Sequence, residues 1–242
     1  LLGGSGQPLS QFWQPAIIAA LFILGQVFMF SSIRFGDVSV ATPVFGIKVV
    51  IVPILLTLLT GEKLTAWIWA GAALATLGIA LVHRTGGNVQ HRHVFLTVVL
   101  AVCSATSFAF FDVSVQTWAP GWGTGRILPI VYWIVALLSL GFLPAVQWRF
   151  VLHSAATPHL IVGSLLIACQ ALCIVFTLAQ FGDAARVNVV YALRGLWGVA
   201  LAWAVAHRWG GGEAALPHEV MLTRMAGALL LTAAVVLVIA NG

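Results

Sequence analysis

Eight long runs of apolar residues fill nearly the whole chain and leave few ways for it to fold. They lie at 14–33, 38–59, 64–83, 93–115, 127–147, 158–179, 185–206 and 219–240. A helix needs about 20 mostly apolar residues to cross roughly 30 Å of hydrocarbon, and each run has about that length. A chain with 61% hydrophobic and 7% charged residues would not stay in solution. The sequence therefore predicts an all-α membrane protein with eight transmembrane helices.

The connections between these runs are short and hold most of the turn-forming residues and charges. Any function of the chain therefore has to lie within the helix bundle. The net charge of +5 is spread over the loops without a basic run, which argues against nucleic acid as a partner. The partner that the composition does predict is the lipid bilayer.

Two segments of the chain resemble each other without a gap. FSSIRFGDVSVATPVFGIKVV at 30–50 aligns with FTLAQFGDAARVNVVYALRGL at 176–196, an offset of 146 residues. A second match, AGAAL at 70–74 with AGALL at 226–230, has an offset of 156. Because the first match pairs the second run with the seventh, the repeat unit is five helices long.

A repeat unit with an odd number of helices turns its second copy over in the bilayer. The result is an inverted repeat of the kind that secondary transporters use. We assign residues 1–84, with three helices, to the first copy and residues 93–242, with five, to the second. On this count we expect ten helices as five plus five, two of which precede Leu1.

One stretch of the chain resembles a known family. LLTGEKLTAW at 58–67, followed by GAALATLGIALV at 71–82, is similar to the end of a repeat in EamA-like transporters of the drug/metabolite transporter superfamily. The pair Gly61-Glu62 is typical of that family, as is a proline in the preceding helix, here Pro43. The resemblance implies ten helices, a small-molecule substrate, no cofactor and a multi-pass position in a bacterial inner (plasma) membrane. It leaves open whether the protein forms a homodimer.

Two basic residues, Lys48 and Arg194, occupy equivalent positions of the repeat near the middle of their runs. Each lies about 14 Å from either end of its helix, which is too far for the side chain to reach water there. A basic residue at that depth costs about 2.5–3.5 kcal/mol on insertion scales, so a position facing lipid is excluded. Two interpretations stay open. Each base forms a structural ion pair, or it lines a wet cavity and binds an anionic ligand.

Asp112, in the run 93–115, is the acidic residue best placed to neutralise a base inside the membrane. One carboxylate cannot neutralise two bases, which favours a cavity for at least one of them. In a second interpretation, Asp112 carries the proton whose movement is coupled to transport. Resemblance to the phosphate-sugar and nucleotide-sugar branch of the same superfamily implies that Lys48 and Arg194 hold the anionic group of a substrate.

Helical spacing predicts which residues accompany these bases. On the seventh run Tyr191, Arg194 and Trp197 share one face, with Asn188 at its edge. Two mid-span glutamines can also donate to a ligand or bridge helices. The candidate substrate-binding residues are Lys48, Arg194, Tyr191, Trp197, Asn188, Gln26 and Gln170.

These features predict a secondary transporter that moves a small anionic metabolite, bearing a phosphate or a carboxylate, by alternating access. The alternative is an EamA-type exporter of amines, amino acids or drugs, in which the basic pair is structural and Asp112 binds the cation. The chain has no Walker, HExxH or GxSxG motif, which argues against an ATP-driven pump and against an enzyme. His83, His91 and His93 have no thiol or carboxylate beside them, so we predict no metal site.

Overall fold

The computed structural model describes residues 6–35, 38–82, 94–154, 156–194, 197, 201 and 218–241. Over these ranges the chain is almost entirely helical and forms no strand. The predicted loop histidines lie outside them.

The helices follow one another with short connections. They are α1 (Trp13–Phe35), α2 (Val38–Phe45), α3 (Lys48–Leu55), α4 (Ala66–Val82), α5 (Val94–Trp122), α6 (Thr124–Ser139), α7 (Trp148–His153), α8 (Thr157–Phe181), α9 (Ala184–Tyr191) and α10 (His218–Ala240). A 3₁₀ turn at Leu9–Gln11 precedes α1, a π-helical segment at Leu56–Thr60 extends α3, and a 3₁₀ segment at Leu140–Ala145 extends α6.

Six helical segments in the described part of the chain are long and apolar enough to cross a membrane. They are Leu9–Phe35, Ala41–Thr60, Val94–Trp122, Thr124–Ala145, Thr157–Phe181 and Leu222–Ala240. The apolar α4 is shorter, at 17 residues. Together these segments match seven of the eight predicted runs, which confirms a multi-pass, all-helical membrane protein. The remaining run, 185–206, lies largely outside the described residues.

The chain forms two compact units, and each combines segments of both predicted repeats. The first unit comprises Leu1–Ile23 and Ser114–Asp183, and the second comprises Leu24–Val113 and Ala184–Gly242. Long helices such as α1 and α5 therefore contribute one end to each unit.

In the first unit, the start of α1 packs against the junction between α5 and α6. Gly123 at this junction has a φ of 77°, which glycine adopts without the strain that a Cβ would cause, so α6 can follow α5 directly. The indole N–H of Trp122 donates to Gln14 Oε1 at 2.7 Å, and the rings of Trp13 and Trp118 meet edge to face at 5.1 Å. These contacts tie the ends of three helices together.

The second unit is organised around α4 and α10, which approach closely because glycines lie at their interface. A Cβ on Gly78 would lie 2.8 Å from Leu231 Cγ and 2.9 Å from the backbone oxygen of Gly227. A Cβ on Gly71 would lie 3.4 Å from the backbone oxygen of Ala234. Gly71, near the start of α4, meets Ala234, whereas Gly78, near its end, meets Gly227. The two helices are therefore antiparallel.

Small and branched side chains from four helices of this unit form its core. They are Val49, Ala72, Ala75, Ile79, Val189, Ala192, Leu231, Ala234 and Val238. This core fixes α3 and α9, which carry the candidate site, against the α4 and α10 pair.

We expect Gly78→Ala to lower the free energy of unfolding by about 1–3 kcal/mol, because an added methyl in a tightly packed interface forces its neighbours apart. The backbone oxygen of Gly227 cannot rotate away as a flexible side chain would. Thermal unfolding of the purified protein in one detergent measures the effect.

The matched control is Gly163→Ala in α8, where no atom lies within 4 Å of the position of the new Cβ. Alanine is favoured over glycine inside a helix by about 0.5–1 kcal/mol, so this variant should unfold at the same or a higher temperature. Equal destabilisation by both substitutions would contradict a close contact between α4 and α10.

Candidate functional site

The second apolar run is two helices joined by a turn. Gly46 and Ile47 separate α2 from α3, and Lys48 is the first residue of α3. In this turn the Gly46 N–H donates to Pro43 O at 3.0 Å, and the Ile47 N–H donates to Val44 O at 3.1 Å. Such i→i−3 bonds belong to the tighter 3₁₀ geometry, and the proline supplies no N–H to the helix ladder.

The same break recurs in the second copy of the repeat. The Ala192 N–H donates to Val189 O at 3.2 Å, and the Leu193 N–H donates to Val190 O at 3.0 Å. All four residues lie 146 positions after their counterparts in the first turn. Arg194 follows this turn as the lysine follows the first, so each of the two bases comes directly after a helix break.

Lys48 forms an ion pair with Asp112 of α5, with 2.6 Å between Nζ and Oδ2. The Asp112 side chain is 2% exposed and that of Lys48 is 17% exposed. Asn188 donates its Nδ2 to the same carboxylate oxygen at 2.6 Å and to Ala184 O at 2.8 Å. The ammonium also lies 5.7 Å from the centre of the Phe108 ring. The carboxylate is thus held from two sides, and it neutralises one of the two bases.

Arg194 has a different environment. Its Nη1 donates to the hydroxyl of Tyr191, and its guanidinium carbon lies 4.2 Å from the centre of the tyrosine ring. The arginine is exposed, and within the described ranges it forms no ion pair with a carboxylate. Its charge is therefore held in place by a neutral acceptor and an aromatic face.

Both bases line one cavity of about 80 Å³, which lies wholly within the second unit. Since a water molecule occupies about 30 Å³ in the liquid, the cavity has room for a few waters or for one small anionic group. The lining residues are Thr42, Phe45, Gly46, Lys48, Val49, Ile79, Asn188, Tyr191, Ala192 and Arg194.

The internal repeat supplies most of this lining. Eight of the ten residues form four pairs that are 146 positions apart in the sequence. The pairs are Thr42 with Asn188, Phe45 with Tyr191, Gly46 with Ala192, and Lys48 with Arg194. The same positions of both copies therefore surround one cavity.

Four of the seven predicted binding residues line the cavity, namely Lys48, Arg194, Tyr191 and Asn188. The other three do not. Trp197 is 62% exposed, Gln170 is an exposed residue of α8, and Gln26 is a half-buried residue of α1. Asp112 lies behind the lining, where it holds Lys48.

The predicted binding residues do not include Thr42 and Phe45, although the sequence carries a signal for both. They align with Asn188 and Tyr191 in the same ungapped match that aligns the two bases. Applying the 146-residue offset to every predicted site residue, and not only to the bases, would have found them. Ile79 had no such signal, because it reaches the cavity through the packing of α4.

Comparison with known proteins supports the resemblance seen in the sequence. Residues 1–84 match the EamA-like transporter family, which confirms that resemblance over the first third of the chain. Sixteen solved chains match in structure. One of them, a crystal structure of a protein, aligns with a TM-score of 0.61 over 96% of this chain and 76% of that chain, at 18% sequence identity. At this identity the likeness establishes the fold alone. No curated protein matches the sequence.

We expect Lys48→Met to lower the free energy of unfolding by about 3–5 kcal/mol, because it leaves the buried Asp112 carboxylate without its cation. Asp112→Asn should lower the free energy of unfolding by a smaller amount. An asparagine can still accept the hydrogen bond from Asn188, and the unpaired ammonium is partly exposed and can be solvated from the cavity.

The double variant Lys48→Met with Asp112→Asn removes both charges together, so most of the lost stability should return. Thermal unfolding of the three variants in one detergent forms a double-mutant cycle. Strictly additive losses would show that the two side chains are not coupled.

Proposed function

We propose that this protein is a secondary transporter of small anionic metabolites and that the cavity between Lys48 and Arg194 binds the anionic group. The observation that carries the proposal is the cavity itself, which two basic residues line and one carboxylate only partly neutralises. The match of the first third of the chain to a transporter family supports transport and argues against an enzyme.

The charges at the cavity favour an anion. Lys48 and Asp112 cancel, so the guanidinium of Arg194 leaves one net positive charge among the described side chains of the site. A bound anion supplies Arg194 with the counter-charge that no carboxylate among the described residues provides. The guanidinium also presents planar N–H donors that suit a carboxylate or a phosphate.

The contacts between α4 and α10 support an inverted arrangement of the two copies. With the offset of 156 residues, Gly71 corresponds to Gly227, and Gly78 corresponds to Ala234. Gly71 faces Ala234, while Gly78 faces Gly227. Gly71 thus contacts the counterpart of Gly78, and Gly78 contacts the counterpart of Gly71. Such exchanged pairs are the pattern of contacts across a two-fold axis.

Alternating access follows from this arrangement. In transporters with inverted repeats the substrate site lies near the midplane of the bilayer, between the two copies, and rocking of one copy against the other opens it to either side. The four repeat-related pairs around the cavity fit such a position. The helix breaks before Lys48 and Arg194 also fit, since discontinuous helices are typical of these sites.

The second candidate function is the export of amines, amino acids or drugs, with Asp112 as the ligand for the cationic group. The buried carboxylate gives this alternative its support. However, Asp112 does not line the cavity, and Lys48 already lies 2.6 Å from it. An amine would have to displace the lysine before it could bind, so the anionic substrate is favoured.

Arg194→Gln should weaken binding of a small anion by about tenfold or more, because a charge-assisted hydrogen bond contributes about 1.5–3 kcal/mol. The probes are acetate, lactate, inorganic phosphate and ethylammonium. Ligand-induced thermal stabilisation of the purified protein gives the affinity, and exchange of labelled anion into proteoliposomes without ATP tests transport.

Arg126→Gln is the matched control, because it removes the same charge from an exposed arginine that does not line the cavity. It should bind the anions as the unmodified protein does. Stabilisation by ethylammonium and by none of the anions would reject the proposal in favour of the amine exporter. Equal weakening by both arginine substitutions would show that the effect comes from overall charge rather than from the cavity.

A further inference from the structure

We infer that the cavity recognises its solute by a single anionic group bound at Arg194, and that it selects monoanions against dianions. The inference rests on the proposed function and narrows its substrate class to solutes such as monocarboxylates or phosphodiesters. Lys48 is then a positioning residue that balances Asp112 and does not bind the solute.

The first step is that the two bases, although equivalent in the repeat, have unlike partners. Lys48 is bound to a full negative charge. Arg194 is bound to the neutral hydroxyl of Tyr191, at the position where the first copy has Phe45. An anion can replace the neutral tyrosine hydroxyl at the guanidinium with a favourable electrostatic energy. Replacing the carboxylate at Lys48 would leave the buried Asp112 without a counter-charge.

The second step is that the carboxylate is fixed on the lysine side. Asn188 donates to Asp112 Oδ2, and its second hydrogen bond, to Ala184 O, anchors the amide on its own helix. With the Asp112 side chain 2% exposed, water has little access to the carboxylate. The Lys48 ammonium therefore stays paired with Asp112 when a solute enters. The Arg194 guanidinium is then the cation that faces the solute.

The third step is the charge balance. Two cations and one carboxylate give the described site a net charge of +1. A monoanion makes the occupied site neutral, whereas a dianion leaves one excess negative charge near the buried Asp112 carboxylate, which repels it.

The first test needs no substitution. Butyrate and succinate have four carbons each and differ by one carboxylate, and pentanoate and glutarate form a second such pair. At about pH 8 all four are fully ionised. We expect the protein to bind each monoanion about tenfold more tightly than its dianion, as measured by thermal stabilisation over a concentration series.

The second test changes the charge balance. Asp112→Asn releases Lys48 and raises the net charge of the site to +2, so the ratio of monoanion to dianion affinity should shift by about tenfold or more towards the dianion. The matched variant Lys48→Met with Asp112→Asn lacks the same carboxylate but keeps the net charge at +1. It should retain the preference for monoanions.

The outcomes separate this inference from the proposed function. Equal or tighter binding of dianions by the unmodified protein overturns the inference alone, and so does an unchanged ratio in Asp112→Asn. Failure of every anion to bind overturns the proposed function as well. If Asp112→Asn does not fold, the unmodified protein and the double variant still decide, because a preference for dianions in either contradicts the inference.

Discussion

The ion pair between Lys48 and Asp112 is the interaction on which the rest of this site depends. Burying two charges costs several kcal/mol per ion, and their attraction offsets that cost only when the geometry is close and the remaining polar atoms are satisfied. Both conditions hold here, with 2.6 Å between the charged atoms and Asn188 bonded to the same oxygen. Because α3, α5 and α9 each contribute one of these residues, the pair also links α3 and α9, which line the cavity, to α5, which does not.

The helix breaks explain how each base comes to face the cavity. A continuous helix would place the base on a face set by its helical periodicity, whereas a 3₁₀ turn immediately before the base changes that direction. In the first copy Pro43 gives a local cause, but the second copy has Val189 there and still makes both i→i−3 bonds, while the Ala192 N–H also donates to Asn188 O at 3.1 Å. Proline is therefore not the common cause, and tertiary packing is the better explanation. Gly46 agrees with this, because a Cβ there would lie 2.7 Å from Ile79.

Much of the fold and part of the site could be predicted from the sequence. The cost of exposing apolar helices to water predicts the spans, and the cost of a bare charge in lipid predicts that Lys48, Arg194 and Asp112 matter. The breaks could not be predicted, since a periodic pattern assumes one continuous helix. Trp197, which the helical spacing predicts on the face of Arg194, does not line the cavity. Which base pairs with Asp112 depends on the contact between α3 and α5, and no local pattern encodes that contact.

Within the proposed inverted repeat, backbone and side chains carry different parts of the function. The backbone is similar in both copies, with two matching i→i−3 hydrogen bonds in each turn and matching positions around the cavity. Such likeness suits alternating access, because the inward-open and outward-open states can then be similar in energy. The side chains differ, and Asp112 and Tyr191 give the two bases unlike partners. For a solute bound as we propose, the one anionic group lies at Arg194 in both states, so a near-symmetric frame would hold an asymmetric molecule in a single orientation.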